Sequence, residues 1–289
     1  MRLPDFIIIG AAKSGTTSLV KYLDQHADIS FSHPKEPGFF YWPGIHSKGL
    51  KHYARFFEGC SDRAKIGEAS TAYLYGEETP RWIKEAIPDA KLIAILRNPV
   101  ERAFSHYMHR YGLGQETRSF KQAIIEGTSL IHINLKDKTH YSYVDRGMYA
   151  RQIQTYLHHF DASQLLILLF DDLVYDSQRV VESCFDFLGV DSSISVDTSR
   201  KYNASIGLRS KFLNRLVFEN NLFSDFLAKT LSLRNKNRIR EFIRRLNYKT
   251  VPKAKIDENV RRELIEVFRV PNKKLEGIIR RDLSHWSAF

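Results

Sequence analysis

The feature that most constrains this fold is a glycine-containing loop that directly follows a short, wholly apolar run. The run Phe6-Ile7-Ile8-Ile9 has the β-branched and aromatic composition of a strand buried on both faces of a parallel sheet. The loop begins at Gly10, and a helical pattern follows over residues 16–25. A strand, a glycine loop and a helix in this order predict an α/β fold with a phosphate-binding turn.

Several groups in this loop, GAAKSGTTS, suit an anionic ligand. Gly10 and Gly15 allow the backbone to turn tightly and approach a ligand closely, and Lys13 adds a positive charge. Hydroxyl groups are contributed by Ser14, Thr16, Thr17 and Ser18. Nucleotide hydrolases have a lysine directly after the second glycine, where this chain has Thr16. The sequence therefore predicts a loop that binds a phosphate-like group without a metal ion, with an incidental Gly/Ser/Thr turn as the alternative.

The rest of the chain continues the alternation of strands and helices. Strands are predicted at 64–68, 91–96 and 165–170, and helices at 79–87, 100–111, 148–160, 177–188 and 259–279. This alternation predicts a single α/β domain over residues 1–289, with a central parallel sheet flanked by helices. Residues 204–250 are basic and helical by pattern, and they are predicted to form an added helical insertion or cap. Long loops are predicted at 41–50 and 134–146.

The chain is basic, with 44 Lys and Arg residues against 33 Asp and Glu residues and a formal net charge of +11. Such a surface attracts nucleic acid, acidic polysaccharide, anionic lipid or phosphorylated small molecules. For the basic segment 204–250, three interpretations remain open: a solvated helix face, a platform for an anionic polysaccharide, or a contact with an anionic membrane. Cys60 and Cys184 belong to no metal-binding cluster, which argues against a zinc site. Two free thiols in a reducing compartment are the simpler interpretation, with a disulfide between them as the alternative.

A second basic motif follows the strand predicted at 91–96. Arg97 emerges at the carboxyl end of that strand, and Ser105 lies two turns into the next helix. Since ligands of open α/β sheets bind at the carboxyl ends of the strands, Arg97 is expected beside the first loop. Together, Arg97 and Ser105 are interpreted as the residues that bind a second phosphate group. A simple pairing of Arg97 with Glu101 is the alternative on this motif alone.

The two motifs together resemble the sulfotransferase family, which takes a sulfuryl group from 3′-phosphoadenosine 5′-phosphosulfate (PAPS). In that family a strand–loop–helix segment with a lysine inside the loop binds the 5′-phosphosulfate, and an LR[DN]PxxRxxSxY segment binds the 3′-phosphate. Residues 96–107 match the second pattern, and segments at 35–40, 52–57, 67–73 and 147–149 are similar to the heparan-sulfate branch. The resemblance implies a P-loop nucleoside-kinase-like fold and metal-free sulfation of a carbohydrate or glycolipid acceptor.

The resemblance also implies roles for particular residues. Glu36 is the expected base that takes the acceptor's proton, with Phe39 and Phe40 expected to desolvate its carboxylate. Lys13 is expected to stabilise the oxygen that leaves with the donor's phosphate. The residues expected to bind PAPS and its product 3′-phosphoadenosine 5′-phosphate (PAP) are Lys13, Ser14, Gly15, Thr16, Thr17, Ser18, Arg97, Ser105 and Arg209. Where the heparan-sulfate enzymes have a second catalytic lysine, this chain has Ala69.

Alternatives to this mechanism remain open. The base can instead be a histidine, as in sulfotransferases that act on small phenols and steroids, with His33, His106 or His109 as candidates and a small hydroxylated metabolite or lipid as acceptor. Glu68 is interpreted either as orienting Lys13 or the acceptor hydroxyl, or as a residue that merely ends its strand. Two other classes compete: a nucleotide kinase or hydrolase, and a nucleic-acid-binding protein, although nucleic acid is not an expected partner.

The N-terminal apolar run is too short for a signal peptide and leads straight into the glycine loop. A cytoplasmic protein, with at most a peripheral membrane contact, is therefore expected. A Golgi-lumenal origin stays open if the sequence is part of a longer chain.

Overall fold

Five parallel strands form the centre of the protein in the computed structural model, which describes residues 1–60, 65–129, 142–200, 206–208, 248–250 and 254–288. The strands are β1 (Phe6–Gly10), β2 (Ile29–Phe31), β3 (Lys65–Ala69), β4 (Lys91–Leu96) and β5 (Leu165–Leu169). Their order across the sheet is β2-β3-β1-β4-β5. Because all five run in the same direction, the segments that follow β1, β3, β4 and β5 meet at one edge of the sheet.

Helices cover both faces of this sheet. They are α1 (Thr16–Leu23), α2 (Pro43–His46), α3 (Leu50–Ala54), α4 (Thr79–Ala86), α5 (Pro99–Gly112), α6 (Phe120–Ser129), α7 (Tyr149–His159), α8 (Phe170–Tyr175), α9 (Ser177–Leu188) and α10 (Glu258–Ile279). Short 3-10 turns lie at Tyr73–Tyr75, Asp145–Gly147 and Ser284–Ser287. In α10 the Asp257 side chain accepts hydrogen bonds from the backbone N–H groups of Asn259 and Val260, which satisfies two groups at the helix start.

Alternate residues of β1 enter two different cores, which is why its sequence is apolar throughout. Ile7 and Ile9 join a core on one face of the sheet with helices α4 and α7. Phe6 and Ile8 join a core on the other face with α1 and α9. Each face of the strand is thus removed from water, and the continuous apolar run follows from the double burial.

Most predicted elements are confirmed, and the differences have local causes. The short strand β2 was missed because a three-residue edge strand has no measurable alternation. The loop predicted over 41–50 is wrong: Pro43 begins the helix α2, since proline suits a first helical turn. The helix predicted over 16–25 ends at Leu23.

The basic segment 204–250 is described only near its two ends. Residues Ile206–Leu208 and Tyr248–Thr250 form an antiparallel pair of strands, β6 and β7, rather than helix. The rest of the predicted helical insertion, at 209–247, lies outside the described residues, and it includes Arg209, which was expected to bind the nucleotide. Most of the loop predicted over 134–146 also falls there.

Both cysteines of the chain are free thiols, as predicted, with Cys60 partly exposed and Cys184 buried. Among the helices that the structure describes, we find none with the length and apolar character needed to cross a membrane.

Candidate active site

The loop between β1 and α1 has a backbone that depends on glycine. Gly15 adopts φ 90° immediately before α1, in the left-handed region that residues with a side chain rarely enter. A methyl group at this position would lie 2.9 Å from Cδ2 of Phe170. Lys13 also has a positive φ, 70°, within the loop. The loop therefore wraps closely around the start of α1, whose backbone N–H groups and dipole favour an anion.

Arg97 follows β4 and lies directly beside this loop. Its Nη1 donates to the Lys13 carbonyl oxygen at 3.2 Å, and its guanidinium lies 4.9 Å from the centre of the Phe170 ring. The Tyr149 hydroxyl donates to the Arg97 carbonyl at 3.0 Å. Glu101 is also near, with 3.7 Å between carboxylate and guanidinium. The pairing with Glu101 therefore coexists with the predicted contact between the two motifs.

The second motif is anchored on its other side by residues near the C-terminus. The Asn98 side chain caps α5 by accepting from the N–H groups of Val100 and Glu101, and its amide donates to the Trp286 carbonyl at 3.0 Å. The indole of Trp286 donates to Asp171 at 2.9 Å. These contacts fix where β4 gives way to α5, and hence where Arg97 emerges.

Several positively charged side chains lie close together, and largely buried, around the first loop and the start of α5. Burial, and secondarily Arg97, lowers the pKa of Lys13 to about 8, while Glu36 acts in the opposite direction. Arg102 and Arg146 are both buried, and burial lowers the pKa of each guanidinium. Here we call Lys13, Arg97, Arg102 and Arg146 the cation cluster. Buried cations are stable only with charge or hydrogen-bond compensation, so the cluster favours a polyanionic ligand.

Ser105 lies on α5 one turn before His109, on the same side of the helix. Burial is the main influence on the pKa of His109, the positive charge of Lys13 is the second, and together they lower this pKa to about 4. Ser105 itself is partly exposed. The other predicted binding residues belong to the first loop and the start of α1. Ser14, Thr16 and Ser18 are buried there, and Thr17 is partly exposed.

Glu36 lies on a loop that is bonded to the segment after β3. Its carboxylate accepts from Lys35 Nζ at 2.8 Å and from the Thr71 hydroxyl at 3.3 Å, and 45% of its side chain is exposed. Further along the loop, the Gly38 N–H donates to the Ser70 hydroxyl at 3.0 Å. Thr71 links this carboxylate to the first loop, because its carbonyl oxygen lies 3.3 Å from the position that a side chain on Gly10 would occupy.

The expectation that Phe39 and Phe40 desolvate Glu36 is wrong. Both rings are fully buried in the core beside the sheet, where Phe39 stacks on Tyr53 with 4.5 Å between ring centres. The physical reason is that a pair of large apolar rings is removed from water more completely under α3 than at an open cleft. The phenylalanines instead anchor the loop, and the Phe40 N–H donates to the Tyr73 hydroxyl at 3.1 Å.

Glu68 is fully buried at the end of β3 rather than exposed to the cleft. Burial raises the pKa of its carboxyl group to about 8, and the hydroxyls of Tyr73 and Tyr53 act in the opposite direction. It lies among tyrosines, one of which, Tyr73, also holds the backbone of the Glu36 loop. Its position therefore fits support of this loop better than orientation of Lys13.

The three candidate histidines have different environments. His33 is exposed, whereas His106 is buried and its pKa is held well below the usual value by burial and by Arg146, Arg102 and other nearby cations. Tyr107 and Tyr149, like Tyr73, are buried.

Three side chains that contribute to this site were not identified from the sequence. Phe170 covers the first loop and Arg97, Thr71 contacts Glu36, and Arg146 contributes a buried charge. Phe170 follows an apolar strand and was assigned to it. The other two lie in segments whose composition does not distinguish them from ordinary turns.

The fold and the cation cluster define an α/β protein with an anion-binding loop and a second basic motif on the neighbouring strand. A family model described as the sulfotransferase domain matches residues 3–278. The chain belongs to the sulfotransferase family.

Two curated relatives and one solved structure illustrate the similarity. Bifunctional heparan sulfate N-deacetylase/N-sulfotransferase 1 of Xenopus laevis is 30% identical over 74% of this chain and 25% of its own length. Heparan sulfate glucosamine 3-O-sulfotransferase 6 of Mus musculus is 31% identical over 71% of this chain and 58% of its own length. This chain therefore spans only part of those relatives. The crystal structure of a sulfotransferase from Alicyclobacillus acidocaldarius matches with a TM-score of 0.75 and 30% identity, covering 100% of both chains.

Proposed function

We propose that this protein transfers a sulfuryl group from PAPS to a hydroxyl or amine of a carbohydrate, including the sugar part of a glycolipid. The observation that carries the proposal is the cation cluster, in which Arg97, after β4, contacts the backbone of Lys13, after β1. PAPS brings several negative charges on two separate phosphate positions, which matches two basic motifs side by side. The relatives named for heparan sulfate support a sugar acceptor.

In this proposal the first loop holds the 5′ end of the donor and the Arg97 motif holds its 3′-phosphate. Residues 14–18 offer backbone N–H and hydroxyl groups to the 5′-phosphate, and Ser105 and Arg97 serve the 3′-phosphate. Arg209 is also proposed for the nucleotide end, although it lies outside the described residues. We assign to Lys13 the stabilisation of negative charge on the oxygen that leaves with the phosphate.

Glu36 is the proposed base. It accepts the proton of the acceptor hydroxyl or amine as the new bond from that atom to sulfur forms and the bond from sulfur to the bridging oxygen breaks, leaving PAP. Its partly exposed carboxylate is held by Thr71 and Lys35 while remaining open to an incoming acceptor. As in other group transfers between oxygens, positioning and electrostatics supply most of the catalysis.

Replacement of Glu36 by glutamine tests the role of the base. We expect Glu36→Gln to abolish transfer of labelled sulfate from PAPS to a panel of glycans, glycolipids and small alcohols, while calorimetry shows PAP affinity close to that of the wild type. The control is Glu58→Gln, which removes an exposed carboxylate elsewhere on the chain and leaves turnover unchanged. Normal turnover of Glu36→Gln would exclude Glu36 as the base and favour a histidine, which His109→Gln then tests.

A thermal-shift comparison tests the donor class independently of the acceptor. PAP is expected to raise the melting temperature strongly, whereas ATP with magnesium and an oligonucleotide are expected to have small effects. A large shift with ATP and none with PAP would overturn the proposed donor.

A further inference from the structure

Arg146 is a buried arginine of the cation cluster to which the proposed function assigns no step of the transfer. It lies in the 3-10 turn Asp145–Gly147, directly before α7, and only 6% of the residue is exposed. Its Nη2 lies 3.5 Å from the Thr71 carbonyl oxygen, and its guanidinium lies 5.0 Å from the centre of the Tyr75 ring. Asp145, the neighbouring acid, accepts instead from the Tyr75 hydroxyl at 2.7 Å and from Arg151 at 2.8 Å.

Thr71 connects Arg146 to both halves of the transfer site. Its hydroxyl donates to Glu36, and its carbonyl oxygen lies 3.3 Å from the position that a side chain on Gly10 would occupy at the start of the first loop. The guanidinium therefore approaches the loop from the segment after β3. Arg97 approaches the same loop from the end of β4, on the other side of β1.

Groups that surround the transfer site act on the charge of Arg146. Burial is the largest influence on the pKa of Arg146 and lowers it, whereas Tyr41, Tyr75, Glu36 and Tyr149 act in the opposite direction. The strand β3 ends in Ala69, so that strand end brings no positive side chain to this side of the loop. Arg146 is thus a cation beside both the proposed base and the loop that holds Lys13.

We propose that Arg146 binds the oxygens of the sulfuryl group while it moves from donor to acceptor, an inference that rests on the proposed function. Lys13 acts on the bridging oxygen that leaves, and Arg146 acts on the three oxygens that travel with the sulfur. A guanidinium suits this task because its planar set of N–H groups bonds two oxygens at once. Because Thr71 and Tyr75 already contact the guanidinium, it is positioned before charge redistributes.

The difference between PAPS and PAP isolates this contact, because only PAPS contains the sulfuryl group. Calorimetry without acceptor gives the dissociation constants of both nucleotides, with chromatography verifying that PAPS stays intact. Arg146→Ala is expected to weaken PAPS binding roughly 10- to 100-fold, the range for hydrogen bonds to a charged group. PAP binding is expected to change by less than about threefold. Transfer by this variant is expected to show a raised KM for PAPS together with a lowered kcat, and to recover in part with added guanidinium chloride.

The matched control is Arg151→Ala, which removes the same charge from the first turn of α7 where the side chain is 63% exposed. It is expected to leave the affinities for PAPS and PAP and the rate of transfer unchanged. Arg146→Gln covers the case in which the alanine variant does not fold, because glutamine keeps a donor for Thr71 while removing the charge. Circular dichroism and the melting temperature without nucleotide establish that each variant is folded.

The outcomes separate this inference from the proposed function. Equal losses of PAPS and PAP affinity, or no loss of either, in the folded variants would make Arg146 a structural residue and overturn the inference while the donor assignment stands. Failure of the wild type to bind PAPS and PAP would overturn both. A selective loss of PAPS affinity together with guanidinium rescue supports the direct contact.

Discussion

The lowered pKa of Lys13 makes nucleotide affinity depend on pH in a defined direction. In the free protein burial and Arg97 bring this pKa from 10.5 to about 8, so the ammonium group loses its proton just above neutrality. A bound anion favours the charged form and raises the pKa again. Above about pH 8, binding must therefore take up a proton, and the dissociation constant of PAP rises with pH.

The size of the effect follows from the fraction of Lys13 that is protonated. That fraction is close to one at about pH 7 and roughly one in eleven at about pH 9, for a pKa of about 8 in the free protein. The affinity for PAP is therefore expected to fall about tenfold between these two pH values. The phosphate groups of PAP do not add to this change, because their second ionisation is nearly complete by about pH 7.

The assay is calorimetric titration with PAP at several pH values, in pairs of buffers that differ in ionisation enthalpy. Proton uptake is expected to approach one per PAP at about pH 9, and Lys13→Met is expected to lose both the uptake and the pH slope. Lys21→Met, which removes an exposed lysine of α1, is expected to keep both.

Glu68 requires a separate control because burial raises its pKa to a similar value of about 8. A Glu68→Gln variant that keeps the slope assigns the effect to Lys13. An unchanged slope in Lys13→Met, or binding without proton uptake at high pH, would refute the reasoning.

Two further predictions concern the supports of the site. Gly15→Ala combines an unfavourable positive φ with a contact of 2.9 Å to Phe170, and is expected to lower the free energy of unfolding in urea by roughly 2–4 kcal/mol. Gly189→Ala has a similar φ of 74° but nothing within 4 Å, so its cost is expected to be about 1 kcal/mol, and equal costs would contradict the steric argument. Tyr73→Phe removes the hydroxyl that accepts the Phe40 N–H, and is expected to reduce kcat without changing the dissociation constant of PAP measured by calorimetry. A change confined to PAP affinity would show that this bond supports the donor loop instead.

The sequence predicted those parts of the fold that depend on a few neighbouring residues, such as an apolar run or a proline at a helix start. The apolar runs of β1 and β4 follow from burial on both faces. The helix predicted from residue 100 begins one residue earlier, at Pro99, because proline suits a first helical turn. The proximity of Lys13 and Arg97 followed from parallel topology, because adjacent strands end at the same edge. The short helix α2 and the edge strand β2 were missed because neither is long enough to show periodicity.

Features of the site that depend on packing could not be predicted. Nothing in the local sequence indicates that Phe39 and Phe40 turn into the core, leaving Glu36 held by Thr71. The burial of Glu68 among tyrosines depends on α3 and on the turn after β3, which are separated from each other along the chain. Arg146 likewise reaches the site only through the position of a turn before α7.

The cation cluster has a practical consequence for handling this protein. Positive groups held close together repel one another when no ligand is present, and small divalent anions relieve that repulsion. Inorganic sulfate or phosphate in a buffer is therefore expected to stabilise the folded protein against unfolding during storage. The same ions are expected to compete with PAP, so affinities measured in phosphate buffer would understate how tightly the nucleotide binds.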